Sequence, residues 1–172
     1  MLTYDEIRPT LRTGDIVLFK GKHFRDKFLR LFCEYSHVSM IIIMPFDGCV
    51  NRVCTIEEQY PRAKFAALSV ELTKHGEAFL IRSSLGTEQQ EKISAYLFDK
   101  VAEAHPYDVL GLIQTGYKMM FGQKIKLNKK SAYCSALIGA ALNHVGRIKI
   151  TEAPLPDDIP KLLGRSVVPF SL

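Results

Sequence analysis

Residues 37–44, HVSMIIIM, constrain this chain more than any other stretch. Val38, Ile41, Ile42 and Ile43 branch at Cβ, which restricts their rotamers and suits a pleated sheet better than a helix. The segment therefore reads as a central, buried strand. The longest apolar run, VSMIIIMPF, is far too short to span a bilayer and ends in Pro45. A sheet built around residues 37–44 is the first expectation.

The flanking segments supply its neighbours. Thr3 and Glu6 have capping-box spacing, which opens a short helix that stops near Pro9. Thr13, Gly14 and Asp15 form a turn into DIVLFK, a short strand. FRDKFLRLFC, residues 24–33, places Phe24, Phe28, Leu31 and Phe32 on one helical face. A turn around Asp47 and Gly48 leads to NRVCTIEE, a second strand. Lys64 to Ser83 reads as two more strands around Lys74, His75 and Gly76. Thr87 and Gln90 repeat the capping-box pattern and start a helix to about Ala104, before Pro106 interrupts. YDVLGLIQTGYKMMFG reads as a further helix weakened by its glycines. Ser131 caps the helix that follows, and the proline-rich tail holds a short helix and RSVVPF as an edge strand. Strands come first and helices later, the pattern of an α+β fold. With 172 residues and no repeat, linker or low-complexity segment, a single domain over 1–172 is expected.

Charge narrows the function classes. The net charge of +5 is spread along the chain. The densest basic stretch, QKIKLNKK, reads as a solvated loop, and no nucleic-acid recognition motif accompanies it. MLTYDEIRPTLRTGD is charged within its first five residues and lacks an apolar core segment, so it is not a secretory signal. A cytoplasmic location is the expectation. Cys33, Cys49, Cys54 and Cys134 show no CxxC spacing and no histidine at zinc-finger distance. Neither a structural zinc nor a disulfide framework is expected, and no cofactor is invoked.

Cys134 is the first candidate for chemistry. With Ser131 as N-cap, it falls in the first turn of its helix, where unpaired N–H groups and the helix dipole favour negative charge. A thiolate is a negative charge, and it is the nucleophilic form of cysteine. The plainer reading is a small side chain packed under Tyr133 and Leu137. His37 sits at the mouth of the buried strand, where an imidazole needs partners, and it offers a general base. His23, His75, His105 and His144 lie in weaker settings, His75 in a Lys-His-Gly turn. A third group should orient the imidazole, and the next strand supplies CTIEEQ. Alternation puts Glu57 and Glu58 on opposite faces, so one can face a cleft while the other meets solvent. Periodicity does not choose between them. Tyr133, Tyr107 and Tyr35 are candidates to line a pocket, against the plainer reading of each as a packing residue. Asp108 reads as a helix N-terminal cap and Asp15 as a turn residue.

In order, TGDIVLFKG, YSHVSMIII, VCTIEE, FLIRS, HPYDVLGL, AYCSALIGAAL and LPDDI resemble the YiiX-like permuted papain-fold amidases. These are a circularly permuted branch of the NlpC-type cysteine peptidases, and the resemblance runs from Thr13 to about Ile159. It implies a papain-like α+β fold with a small antiparallel sheet and the nucleophile helix packed against it. It implies Cys134 as nucleophile, His37 as general base and an acidic orienter on the following strand. Matching IEE to the family's strand favours Glu57, although a second Glu stands where the family has a small residue. The implied activity is thiol-dependent cleavage of an amide in a small peptide or amino-acid amide, such as a cell-wall fragment. No nucleic acid and no stable membrane insertion are expected. One alternative is a lipid thioesterase or acyltransferase, as in the related lecithin:retinol acyltransferase-like group, with FRDKFLRLF at an interface. The other is a catalytically silent binding or virion-associated module on the same fold.

Overall fold

The computed structural model describes residues 2–21, 33–45, 51–75, 77–110 and 133–172. β1 (Leu2–Thr3) and α1 (Tyr4–Ile7) open the chain, followed by a 3-10 turn at Arg8–Thr10. The expected capping box forms: Thr3 N–H donates to Glu6 Oε2 at 2.7 Å, and Glu6 N–H donates to Thr3 Oγ1 at 3.4 Å. Then come β2 (Ile16–Lys20), β3 (His37–Met44), β4 (Arg52–Gln59), β5 (Arg62–Ala67) and α2 (Leu68–His75). β6 (Glu77–Ile81), α3 (Thr87–Ala102), α4 (Cys134–His144), α5 (Asp158–Leu163) and β7 (Val168–Ser171) complete the described elements.

The strands form one sheet in the order β1-β7-β6-β2-β3-β4-β5. β3 lies between β2 and β4, and His37 through Ile42 are buried. Alternation along the strands feeds two cores. Leu18, Val38, Met40, Ile42 and Ile56 pack with α3 and α4 residues such as Leu97 and Leu137. Val17, Phe19, Ile41 and Val53 pack with Leu68 and Leu72 of α2 on the other side. The central strand is thus covered twice, which is why its run carries so little polar alternation.

The lead-in to β3 is tied down by the tail. The Asp157 carboxylate accepts the N–H groups of Glu34 at 2.7 Å and Tyr35 at 3.0 Å. Ser36 Oγ accepts the N–H of Gly21 at 2.9 Å. Asp15 does more than turn the chain. It is buried, pairs with Arg82 at 2.6 Å, and accepts the N–H groups of Arg12 and Ser83. It therefore clamps the start of β2 to the end of β6 with a hydrogen-bonded, nearly neutralised charge.

Four expectations need correction. Residues 64–83 do hold parts of two strands, β5 and β6, but a helix, α2, joins them where a turn around Lys74, His75 and Gly76 was expected. Leu68, Glu71, Leu72 and His75 are its buried positions, a helical spacing that two polar residues disguise. The sheet is not wholly antiparallel, since β1 pairs parallel with β7. That pairing also removes β7 from the edge: β1 covers Phe170 and Ser171 but stops short of Pro169, which has no N–H to offer. Finally, Gly86 rather than Thr87 precedes the first turn of α3, with Gln89 Oε1 accepting the Gly86 N–H at 3.2 Å. The expected 24–32 helical face, the Asp47–Gly48 turn, the QKIKLNKK loop, the helix beyond Leu110 and the Ser131 cap lie outside the described residues. No helix among the described residues is long and apolar enough to cross a membrane.

α4 packs so closely on the tail that Gly139 leaves no space for a side chain. A Cβ there would lie 2.6 Å from Pro154 Cγ and 3.0 Å from Ile150 Cδ1. Helix propensity favours Gly139→Ala by about 1 kcal/mol, and the clash opposes it by about 1–3 kcal/mol. The clash should win, lowering stability by about 1 kcal/mol in urea melts. A stabilised variant would show that the tail stands off from α4.

Candidate active site

His37 is the first residue of β3, so its ring stands at the end of the strand, where groups from both sheet faces reach it. Met40 pairs with Ile56, a register that sets Glu57 diagonally across from His37 on the same face. His37 Nε2 lies 2.8 Å from Glu57 Oε2. The Cys134 sulfur is the ring's other polar neighbour and raises the His37 pKa together with Glu57; Nδ1 is the nitrogen that Glu57 leaves over. Cys134 is the first residue of α4, the helix that packs on β3 and β4. Tyr133 rather than Ser131 occupies the N-cap position, with extended backbone and no side-chain cap bond. The Cys134 N–H is therefore among the helix-start donors without an intrahelical acceptor. Cys134, His37 and Glu57, predicted from sequence, come together in space.

Burial works against charge on His37. Glu57 and the Cys134 sulfur outweigh it and hold the imidazole well above its usual range. Glu57 is fully buried. Desolvation penalises its charge, but His37 and Lys64 prevail and keep the carboxyl below its usual value. Lys64 Nζ lies 2.9 Å from Glu57 Oε1, opposite it in the β4–β5 ladder.

Lys64, Glu71 and Lys74 escaped the sequence reading of this cluster, and His75 was read only as part of a turn. Lys64 Nζ also reaches Glu71 Oε1 at 3.1 Å, and Lys74 Nζ reaches the same oxygen at 2.9 Å. His75 Nε2 lies 3.2 Å from Glu71 Oε2. The His75 ring stacks on His37 with centroids 4.9 Å apart and planes 14° from parallel. The signal was the spacing of Leu68, Glu71, Leu72 and His75, which puts both polar groups on the inward side of α2.

The predicted tyrosines take packing positions. Tyr35 is buried and meets Phe79 edge-on at 5.1 Å, and Tyr133 is buried with its hydroxyl 3.5 Å from Ala153 O. Tyr107 N–H donates to Pro61 O at 3.1 Å, just past the end of β4. Glu58 points to the opposite face from Glu57 but does not meet solvent. It is fully buried, with Oε2 3.5 Å from His105 Nδ1.

His37, Glu57 and His75 each offer a donor atom, all within 4.8 Å of one another. As arranged they do not fit a metal ion. His37 Nε2 is bonded to one Glu57 oxygen, and the Lys64 ammonium holds the other.

Described by fold and site, this is a mixed α+β protein whose seven-stranded sheet carries a thiol–imidazole–carboxylate chain at one end. No family model matches it, and no curated protein matches it. Among solved structures it is similar to YiiX of Escherichia coli O157:H7, described as a metalloprotein of the DUF1105 group. The TM-score is 0.61 at 20% identity, over 81% of this chain and 69% of that one. The likeness supports a YiiX-like fold.

Burial pushes the Glu58 carboxyl up to about 8 from 4.5. The folded protein therefore holds a proton that the unfolded chain releases between those values, and stability falls as pH rises through that window. Glu58→Gln should remove this slope, shrinking the stability loss between pH 5 and pH 8 by about 2 kcal/mol in urea melts. An unchanged slope would mean that Glu58 stays ionised in the fold.

Proposed function

We propose that the protein is a cysteine-dependent hydrolase on a permuted papain-like fold of the NlpC type. On this reading it cleaves an amide bond of a small peptide or amino-acid amide through a thioester acyl-enzyme. The observation that carries the reading is the convergence of the Cys134 sulfur and the buried Glu57 carboxylate on the His37 imidazole. A thiol beside an imidazole that is itself oriented by a buried carboxylate is the arrangement nucleophilic acyl transfer requires.

The chemistry follows from the geometry. His37, held above its usual range by Glu57, carries the proton that leaves Cys134 as the attacking thiolate. The sulfur attacks the amide carbonyl, and the Cys134 N–H at the helix start donates to the developing oxyanion. The His37 imidazolium then protonates the departing amine. The neutral ring next takes a proton from water, which attacks the thioester and frees the acid and the thiol. Glu57 keeps Nε2 engaged throughout, so Nδ1 keeps facing the sulfur. Tyr133, flanking the nucleophile, is the nearest of the predicted tyrosines in sequence to the reacting sulfur. The YiiX neighbour is described as a metalloprotein, but the occupied donors at His37 and Glu57 give this chain no comparable support for a metal role.

The thiols themselves test the reading. Burial pushes the Cys33 thiol up to about 12 and also raises that of Cys54. Iodoacetamide at pH 6 should therefore modify Cys134 and spare Cys33 and Cys54, as read by peptide mass mapping. On a panel of peptide amides and fatty-acyl esters, Cys134→Ala should lose about 10³-fold or more in kcat/KM with unchanged melting temperature, and His37→Ala should lose as much while melting lower, because it strips the buried Glu57 of one partner. Amide turnover favours the amidase, and ester turnover alone favours the lipid thioesterase or acyltransferase. Equal turnover by Cys134→Ala and the parent would leave a binding module.

A further inference from the structure

Glu57 is one carboxylate with two cationic partners. Oε2 serves His37 at 2.8 Å and Oε1 serves Lys64 at 2.9 Å. The carboxylate is fully buried, so little of its field leaks to water and the two partners divide it between them. Lys64 is in turn anchored by Glu71, which Lys74 also holds and beside which His75 Nε2 lies at 3.2 Å. The result is two carboxylate–imidazole pairs, Glu57–His37 and Glu71–His75, with their rings stacked and one ammonium linking the two acids.

We propose that Lys64 is a positioning residue of this site: by sharing Glu57 with His37, it limits how tightly the imidazole holds its proton. α2 belongs to the same apparatus, because Glu71 keeps the ammonium in place. Without Lys64, the whole charge of Glu57 would fall on His37, which is already held above its usual range. A ring that cannot give up its proton can neither protonate a leaving amine nor become the base that activates water. The groups around His37 are Glu57 of β4, Lys64 of β5, Glu71, Lys74 and His75 of α2, and Cys134 of α4. Lys20, one residue past Phe19 in the neighbouring strand, is paired with Glu34 at 2.9 Å and so is engaged elsewhere. Among the described residues, Lys64 and His37 are the cations in direct contact with Glu57.

The consequence for turnover rests on the hydrolase reading, whereas the sharing of charge does not. The test therefore measures His37 directly, by the NMR titration of its imidazole in the full chain. Lys64→Met should raise the midpoint by about one unit, a tenfold tighter hold on the proton. Lys64→Arg, which restores a cation, should return it to the parent value. Lys64→Gln keeps donors for both carboxylates and removes only the charge, so it should show the same rise should the Met variant fail to fold. A midpoint that stays put or falls in the Gln variant overturns the proposal. A rise in the Gln variant that Arg reverses upholds it, even if Cys134→Ala shows the protein not to be a hydrolase.

Discussion

A single buried negative charge organises this molecule. Glu57 has no exposure to water, and an isolated carboxylate there would cost several kcal/mol and take up a proton instead. It remains charged because an imidazole and an ammonium meet it from two sides. Each partner in turn has its own place in the fold. The β3–β4 register sets His37 on its diagonal, the β4–β5 register sets Lys64 opposite it, and α2 brings Glu71 to hold the lysine. Remove the charge, and much of the reason for this crowding of ionisable groups disappears.

The same crowding explains what could be read from sequence and what could not. β3 begins and ends where its β-branched run does, since apolar patterning and burial agree there. The Thr3–Glu6 box is local chemistry and forms as read. Cys134 and His37 were visible because a thiol at a helix start and a histidine at the mouth of an apolar strand are each anomalies of their surroundings. α2 was hidden because Glu71 and His75 occupy inward positions, and patterning treats acids and imidazoles as markers of solvent. Glu58 misled for a related reason: alternation sent it correctly to the other face, but that face is covered too. Asp15, read as a turn residue, is instead a buried clamp between β2 and β6. In each of these cases a charged side chain is satisfied by a partner distant in sequence, which no local window contains.

The order of elements bears on the same point. His37 precedes Cys134 by more than half of the chain, and yet the two come together. Nothing in acyl-transfer chemistry reads chain direction; it reads which atoms touch. The sheet supplies the imidazole and its carboxylate partner from adjacent strands, and a separate helix carries the sulfur. Such a division lets the polar network on one side and the helix on the other be fixed by different cores.

Asp157 gives this arrangement a direction in time. Its carboxylate fixes the backbone of Glu34 and Tyr35, immediately ahead of His37. A ribosome making this protein releases the imidazole early, the sulfur much later, and the carboxylate that pins the strand's approach later still. The nascent polypeptide thus carries its imidazole and thiol apart through most of synthesis, and the approach to the strand gains its carboxylate partner only once residue 157 has cleared the exit tunnel.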